Sequence, residues 1–261
     1  MTAASRANVA SSFTVVKGAM IAETYTALAR WDFAMSKREN LDRLRSDNSI
    51  GAGSMTWLRD VAKVLNRRYD PAGRDRPLAR LAQSGCDIHE WKPLLLWHMT
   101  RDEFIVRDFL QNWLFPVYDS GAFRLRSSDV INYLSSIGSR GGRTEHPWSE
   151  TTEKRVAVGL LRIATDFGLL RGSITREFAG YQLPERSFIY LLHVMMEELG
   201  HPTKVIASPD WRLFLMRPTD VENELLRLHQ FRKLDYQVAG SIVQLSLPCT
   251  NSERYAERMV A

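Results

Sequence analysis

The stretch Ser54-Met55-Thr56-Trp57-Leu58-Arg59-Asp60-Val61-Ala62-Lys63-Val64-Leu65-Asn66-Arg67-Arg68-Tyr69 reads as one helix with two unlike faces. At 100° per residue, Trp57, Leu58, Val61, Val64 and Leu65 fall within a single apolar stripe. Arg59, Lys63 and Arg67, spaced i, i+4 and i+8, fall on the other side, with Asn66 beside them. Arg68 lies near the apolar stripe and is expected to snorkel, its stem on the core and its charge in water. Ser54 stands where an N-cap is needed. Asn48-Ser49-Ile50-Gly51-Ala52-Gly53 ahead of it and Asp70-Pro71-Ala72-Gly73 behind it are breakers.

Outward from this helix the same period recurs. Residues 15–30 read as a helix on Val16, Met20, Tyr25 and Leu28, and residues 37–45 as a short charge-rich helix holding Leu41 and Leu44. Residues 77–83, 91–100 and 103–115 read as three more, the last stopped by Pro116. The first half is therefore all-helical with short connections, after a loose arm over the first twelve residues. The second half is mixed. A helix runs from Ser127-Ser128 to about Ile137, residues 138–147 form a loop, and a long helix follows at 150–167, capped by Ser149 and closed by Gly168. Strand-like pieces at 169–171 and 181–183 come next, then a helix at 185–199, a strand at 211–216 and a helix at 220–231. Strands within 236–247 and a helix at 252–260 complete the chain. No fixed-period repeat is present. The fold class expected is mainly α, with α+β character: a helical module over residues 1–116, then a winged-helix-like module with short strands over 117–261.

Charge is distributed unevenly along this chain. Residues 1–80 carry 14 Lys/Arg against 8 Asp/Glu, whereas the remainder carries 21 against 22, so the net charge of +5 is a local feature of the front. A basic helix face on an otherwise balanced protein is the footprint expected of something that meets phosphates. Hydrophobic content of 44% and charged content of 25% suit a folded domain. Cys86 and Cys249 lack neighbours at metal-ligand spacing and read as reduced thiols, which points to the cytoplasm. No secretory signal is visible, and the apolar runs 93–99 and 188–196 fall far short of the ~20 residues a spanning helix needs.

Two segments are candidates for nucleic-acid contact. In the first, Ser54, Thr56 and the free N–H groups of the helix start would touch phosphate, with Arg59, Lys63 and Arg67 adding charge. The bland alternative is a solvated face whose charge Asp60 partly offsets. In the second, helix, loop, longer helix and two short strands follow the order of a winged helix. Thr151, Thr152, Lys154 and Arg155 would open its recognition-type helix, and Arg171 and Arg176 would lie on the wing. Residues 101–180 hold 11 basic and 10 acidic residues, so this unit serves protein docking as readily as DNA. Arg140 and Arg143 in the loop Gly138-Ser139-Arg140-Gly141-Gly142-Arg143 would clamp a phosphate or simply be solvated.

Nothing points to catalysis. Asp166-Phe167-Gly168 spells a kinase metal-binding triplet, but no glycine-rich phosphate loop, strand lysine or His-Arg-Asp loop accompanies it. The six histidines pair with nothing at metal-ligand spacing, and His193 on its apolar helix reads as a hydrogen-bonded core residue. No nucleophile elbow or dinucleotide fingerprint is present. The expectation is a protein with no catalytic residue, no metal and no cofactor. Most of the seven tryptophans read as core anchors.

Several motifs, taken in order, carry a resemblance. Leu160-Leu161-Arg162-Ile163-Ala164-Thr165-Asp166-Phe167-Gly168-Leu169-Leu170-Arg171-Gly172 is one. Trp211-Arg212-Leu213-Phe214-Leu215-Met216 with Asp220-Val221-Glu222 is another, and Tyr236-Gln237-Val238-Ala239-Gly240-Ser241-Ile242-Val243-Gln244-Leu245 a third. Phe13, Lys17-Gly18-Ala19 and the turn at Gly51 to Ser54 fit the same pattern. Together they resemble the BrxA family of bacterial BREX phage-defence systems. The resemblance implies a cytoplasmic accessory protein that binds nucleic acid, duplex DNA foremost, and works beside other BREX subunits without catalysis of its own. A looser likeness of the family's helical part to the antitermination factor NusB keeps RNA open. A scaffold that touches no nucleic acid is the third reading.

Overall fold

In the computed structural model, which describes residues 8–144, 146–240 and 242–260, helices dominate and the strands are short. Residues 1–7 of the expected arm lie outside the described residues. The rest of that arm is ordered: β1 (Val9–Ala10) leads into α1 (Ser12–Lys17), capped by the Ser11 hydroxyl. Then come α2 (Ile21–Ala29), α3 (Lys37–Asp47), α4 (Met55–Arg68), α5 (Arg76–Gln83) and α6 (Ile88–Thr100). The single helix expected over 15–30 is thus two. Gly18 sits at φ +86° between them, a left-handed conformation that suits a residue without Cβ.

The break is held from below. Arg68 is completely buried rather than snorkelling, and its guanidinium donates to the carbonyls of Thr14 (2.9 Å), Gly18 (2.9 Å) and Ala19 (3.2 Å). Its charge is met by the equally buried Glu103, Nε to Oε1 at 3.1 Å, and Glu103 also accepts from the Thr14 hydroxyl at 3.0 Å. This cluster ties α1, the turn behind it and α4 to the residue that opens the next helix.

That helix, α7 (Phe104–Phe109), passes through a π-helical turn (Leu110–Leu114) into α8 (Phe115–Asp119), so Pro116 does not stop it. Proline at the start of α8 needs no N–H of its own, and the wide turn before it closes with Phe115 N–H on the Leu110 carbonyl.

The winged-helix-like part follows: α9 (Ser127–Leu134), a 3₁₀ turn (Gly138–Arg140), β2 (Arg143–Thr144), α10 (Glu150–Asp166), β3 (Leu170–Gly172) and β4 (Arg176–Phe178). Leu125 and Arg176 exchange two backbone hydrogen bonds of 2.9 Å, so β4 has Leu125 on one edge and β3 on the other. Gly168 at φ +84° ends α10, with the Leu169 N–H on the Ala164 carbonyl. The second strand therefore lies at 176–178 and not at 181–183, because pairing to Leu125 decides it. Arg176 is buried with its Nε on the Thr165 hydroxyl (3.2 Å), not displayed on the wing.

The remainder comprises α11 (Glu185–Leu199), α12 (Pro202–Ile206), a 3₁₀ segment (Pro209–Phe214), α13 (Pro218–Gln230), the hairpin β5 (Asp235–Ala239) with β6 (Ile242–Ser246), and α14 (Ser252–Met259). The strand expected at 211–216 is the 3₁₀ segment: Pro209 opens it, and Trp211 stacks on Phe188 with ring centroids 4.8 Å apart. One hydrophobic cluster runs from Ala10 to Met259, so the helical front and the mixed rear share a core. β1 pairs in parallel with β2, and His98 on α6 contacts Asp75 (2.7 Å) and Tyr190 on α11 (3.0 Å). Trp31, Trp91, Trp97 and Trp211 are buried, and Trp57, Trp113 and Trp148 pack partly buried against the cluster.

His193 is buried and stacks on Tyr255 at 5.1 Å, with no hydrogen-bond partner for Nε2 among the described residues. Burial pushes its pKa down from 6.5 to about 4. The unfolded chain therefore takes up a proton first as pH falls, and the stability this neutral ring contributes above pH 6.5 is lost progressively toward pH 4. His193→Leu should flatten that part of the pH profile in urea titrations; an unchanged profile would count against it. Arg68→Met, which strands Glu103, should cost about 3–5 kcal/mol by the same measurement.

Candidate nucleic-acid interface

The polar face of α4 does not stand alone. It forms one wall of a groove of about 460 Å³ whose other wall is α3. Arg59, Lys63 and Asn66 come from α4, and Lys37, Arg38 and Arg45 from α3, with Leu41 and Ala62 as the floor. Five cations and no carboxylate line it. Each helix is pinned at its start. A capping box between Ser36 and Glu39 fixes α3, and the Ser54 hydroxyl accepts the Trp57 N–H at 3.2 Å to fix α4.

The cations differ in how free they are. Lys37 donates to the Asn66 and Tyr69 carbonyls (2.8 and 2.5 Å) and so closes the C-terminal end of α4. Arg45 pairs with Asp42, which also lies 3.8 Å from the highly exposed Arg38. Arg59 is exposed, and among the described residues its side chain hydrogen-bonds within its own helix, to the Met55 carbonyl at 3.4 Å and the Thr56 hydroxyl at 3.3 Å. Lys63 is exposed, its ammonium 5.9 Å from the Phe13 ring. Asp60 leaves their charge intact, because it is turned toward Lys17 at 2.6 Å. Arg67 departs from the expectation. Its guanidinium reaches the Val9 carbonyl (2.8 Å) and lies 3.6 Å from Glu103, so it serves the fold and not the outer face.

On the other flank of α4 lies α1, and beyond it α10. Lys17 on α1 sits 5.8 Å from the Trp57 ring, while Gly159 on α10 is so close to Val15 that a Cβ there would come within 2.9 Å of the Val15 carbonyl oxygen. Trp57 and Arg162 consequently open onto one depression of about 270 Å³. Along α10, Thr151, Arg155, Val158 and Arg162 are exposed and share one stripe. Arg155 makes no side-chain hydrogen bond or ion pair with a described residue, Lys154 pairs with Glu150 (2.5 Å), and Arg162 lies 3.9 Å from Asp166.

The remaining expected residues are spread out. Arg140 is not a phosphate clamp: it lies over the Tyr133 ring at 4.2 Å and bonds Asp108 at 2.8 Å. Burial would lower its pKa, but the Asp108 carboxylate prevails and raises it. Arg143 is exposed in β2, and Arg171 faces Glu177 across the β3–β4 pair at 3.3 Å. Sequence reasoning missed Lys37, Arg38, Arg45 and Arg162. A signal for Arg38 and Arg45 existed, since both share one face of α3 with Leu41, three and seven residues along from Arg38.

Among the described residues no group of three His, Cys, Asp or Glu is placed to hold a metal ion, and no helix is long and apolar enough to cross a membrane. A family model described as BrxA matches residues 11–193. No curated protein matches the chain. Gly159→Val should separate α1 from α10 and cost about 1–3 kcal/mol in a urea titration, by overpacking.

Proposed function

Because the chain belongs to the BrxA family, we propose that it is a non-catalytic, cytoplasmic accessory component of a BREX-type phage-defence system that binds duplex DNA and docks other BREX subunits. The observation that supports this reading is the carboxylate-free groove between α3 and α4. Arg59, Lys63 and Arg38 would neutralise phosphates along one strand, with Ser54 and Thr56 at the exposed helix start beside them. Arg155, Lys154 and Arg162 on α10 would extend the contact, and Arg143 and Arg171 lie at its margins in this proposal. Arg67 and Arg140 support the surface from within. Residues 1–116 would supply the main phosphate-contacting module and 117–261 the second contact or the docking face.

Such contacts read the backbone, so binding should be weakly sequence-selective. The double variant Arg59→Glu, Lys63→Glu should weaken duplex binding at least tenfold, about 1.4 kcal/mol, with unaltered circular dichroism. Unchanged gel-shift affinity in a folded double variant would remove this face from the account. Competition by structured RNA at matched salt separates the RNA reading from the DNA one.

A further inference from the structure

A second cationic site lies at the far end of the sequence. The C-terminus of α13, the start of β5, the end of β6 and α14 enclose a cleft of about 700 Å³. Arg232, Lys233 and Arg258 line it together with Asp235, and it adjoins a smaller cleft of about 190 Å³ that shares Lys233 and Arg258 and adds Arg186 and Glu185. Arg232, Lys233 and Arg258 sit in the part of the chain whose charge is otherwise balanced, and beyond the family-matched residues.

Most charged side chains near it are already satisfied. Glu185 takes Arg227 at 3.0 Å and lies 3.6 Å from Lys233, and Arg186 donates to the Met259 carbonyl at 3.0 Å. The His229 Nδ1 accepts the Tyr236 N–H at 3.2 Å, so that ring is a strut between α13 and β5, and the Asp235 carboxylate lies 3.8 Å from it. Arg232 and Arg258 are the exceptions. Both are exposed, and neither side chain makes a hydrogen bond or ion pair with a described residue.

Arg232 carries a further mark. It occupies the left-handed position after α13, at φ +56°, where its N–H meets the His229 carbonyl and the next N–H meets that of Leu228, each at 2.9 Å. Glycine or asparagine fills that position at less cost. An arginine there is unfavourable for the backbone and projects from the rim of a polar cleft.

We infer that this cleft binds a phosphate group, with Arg232 and Arg258 supplying charge-assisted hydrogen bonds and Lys233 a third positive charge. The site is separate from the α3–α4 groove and does not depend on the function proposed for it. Its phosphate would come from a free nucleotide or from a nucleic-acid backbone.

The test is calorimetric titration of the full chain with inorganic pyrophosphate. Binding should weaken at least tenfold in Arg232→Gly and in Arg232→Gln with Arg258→Gln, and should persist in Arg59→Glu, Lys63→Glu. Arg232→Gly suits the left-handed backbone, so it should melt at or above the temperature of the parent, and loss of binding there cannot be charged to misfolding. Equal binding by parent and Arg232→Gly, or no heat with the parent at millimolar pyrophosphate, overturns the inference. Displacement by a 5′-mononucleotide but not by a duplex lacking terminal phosphates assigns the free-nucleotide source. Displacement by that duplex, retained when Arg59 and Lys63 are reversed in charge, assigns the backbone.

Discussion

The buried pair of Arg68 and Glu103 is the constraint on which the front of the molecule depends. Taking both charges out of water is expensive, and the attraction between them repays it only because the other polar atoms are also satisfied. Arg68 spends its remaining donors on the Thr14, Gly18 and Ala19 carbonyls, the groups freed where α1 ends. Glu103 spends its second oxygen on the Thr14 hydroxyl. These bonds decide where α1 ends and hold it against α4. With α1 so placed, Val15 can meet the bare backbone of Gly159, and α10 comes to lie on the other side.

The same arrangement sorts the charges. Acidic groups near α4 are matched inside: Glu103 by Arg68 and Arg67, Asp60 by Lys17. Inward pairing keeps Asp60 and Glu103 off the α4 wall and leaves Arg59 and Lys63, with Arg38 opposite, around a floor of Leu41 and Ala62. A groove lined by one sign of charge focuses the field and raises the local concentration of a polyanion. Of the acidic residues near α4, Asp60 and Glu103 are drawn inward, while Asp42 stays at the surface beside Arg38 and Arg45. Net charge alone does not produce such a groove; the docking of α3 against α4 brings the cations together.

Local periodicity made α3, α4, α11, α13 and the β5–β6 hairpin legible, since each has an apolar pattern that needs no distant partner to be read. The misreadings have non-local causes. Arg67 falls on the outer face in a helical projection, yet its side chain is long enough to reach Val9 and Glu103, which are remote in sequence. Arg176 looks like a wing residue until Leu125 pairs with it and α10 covers it. The run Trp211 to Met216 has strand-like residues but is wound into a 3₁₀ turn by Pro209 and by the stack on Phe188. In the site, each helix face was readable by itself but the groove was not, because two helices must be docked before their cations share one.

The most direct measurement is the salt dependence of duplex-DNA affinity for the intact protein. Three groove cations, Arg38, Arg59 and Lys63, remain once Lys37 is committed to the end of α4 and Arg45 to Asp42. If each displaces a counterion, the plot of log affinity against log salt should fall with a slope of about −3 or steeper. A slope near zero would contradict the account.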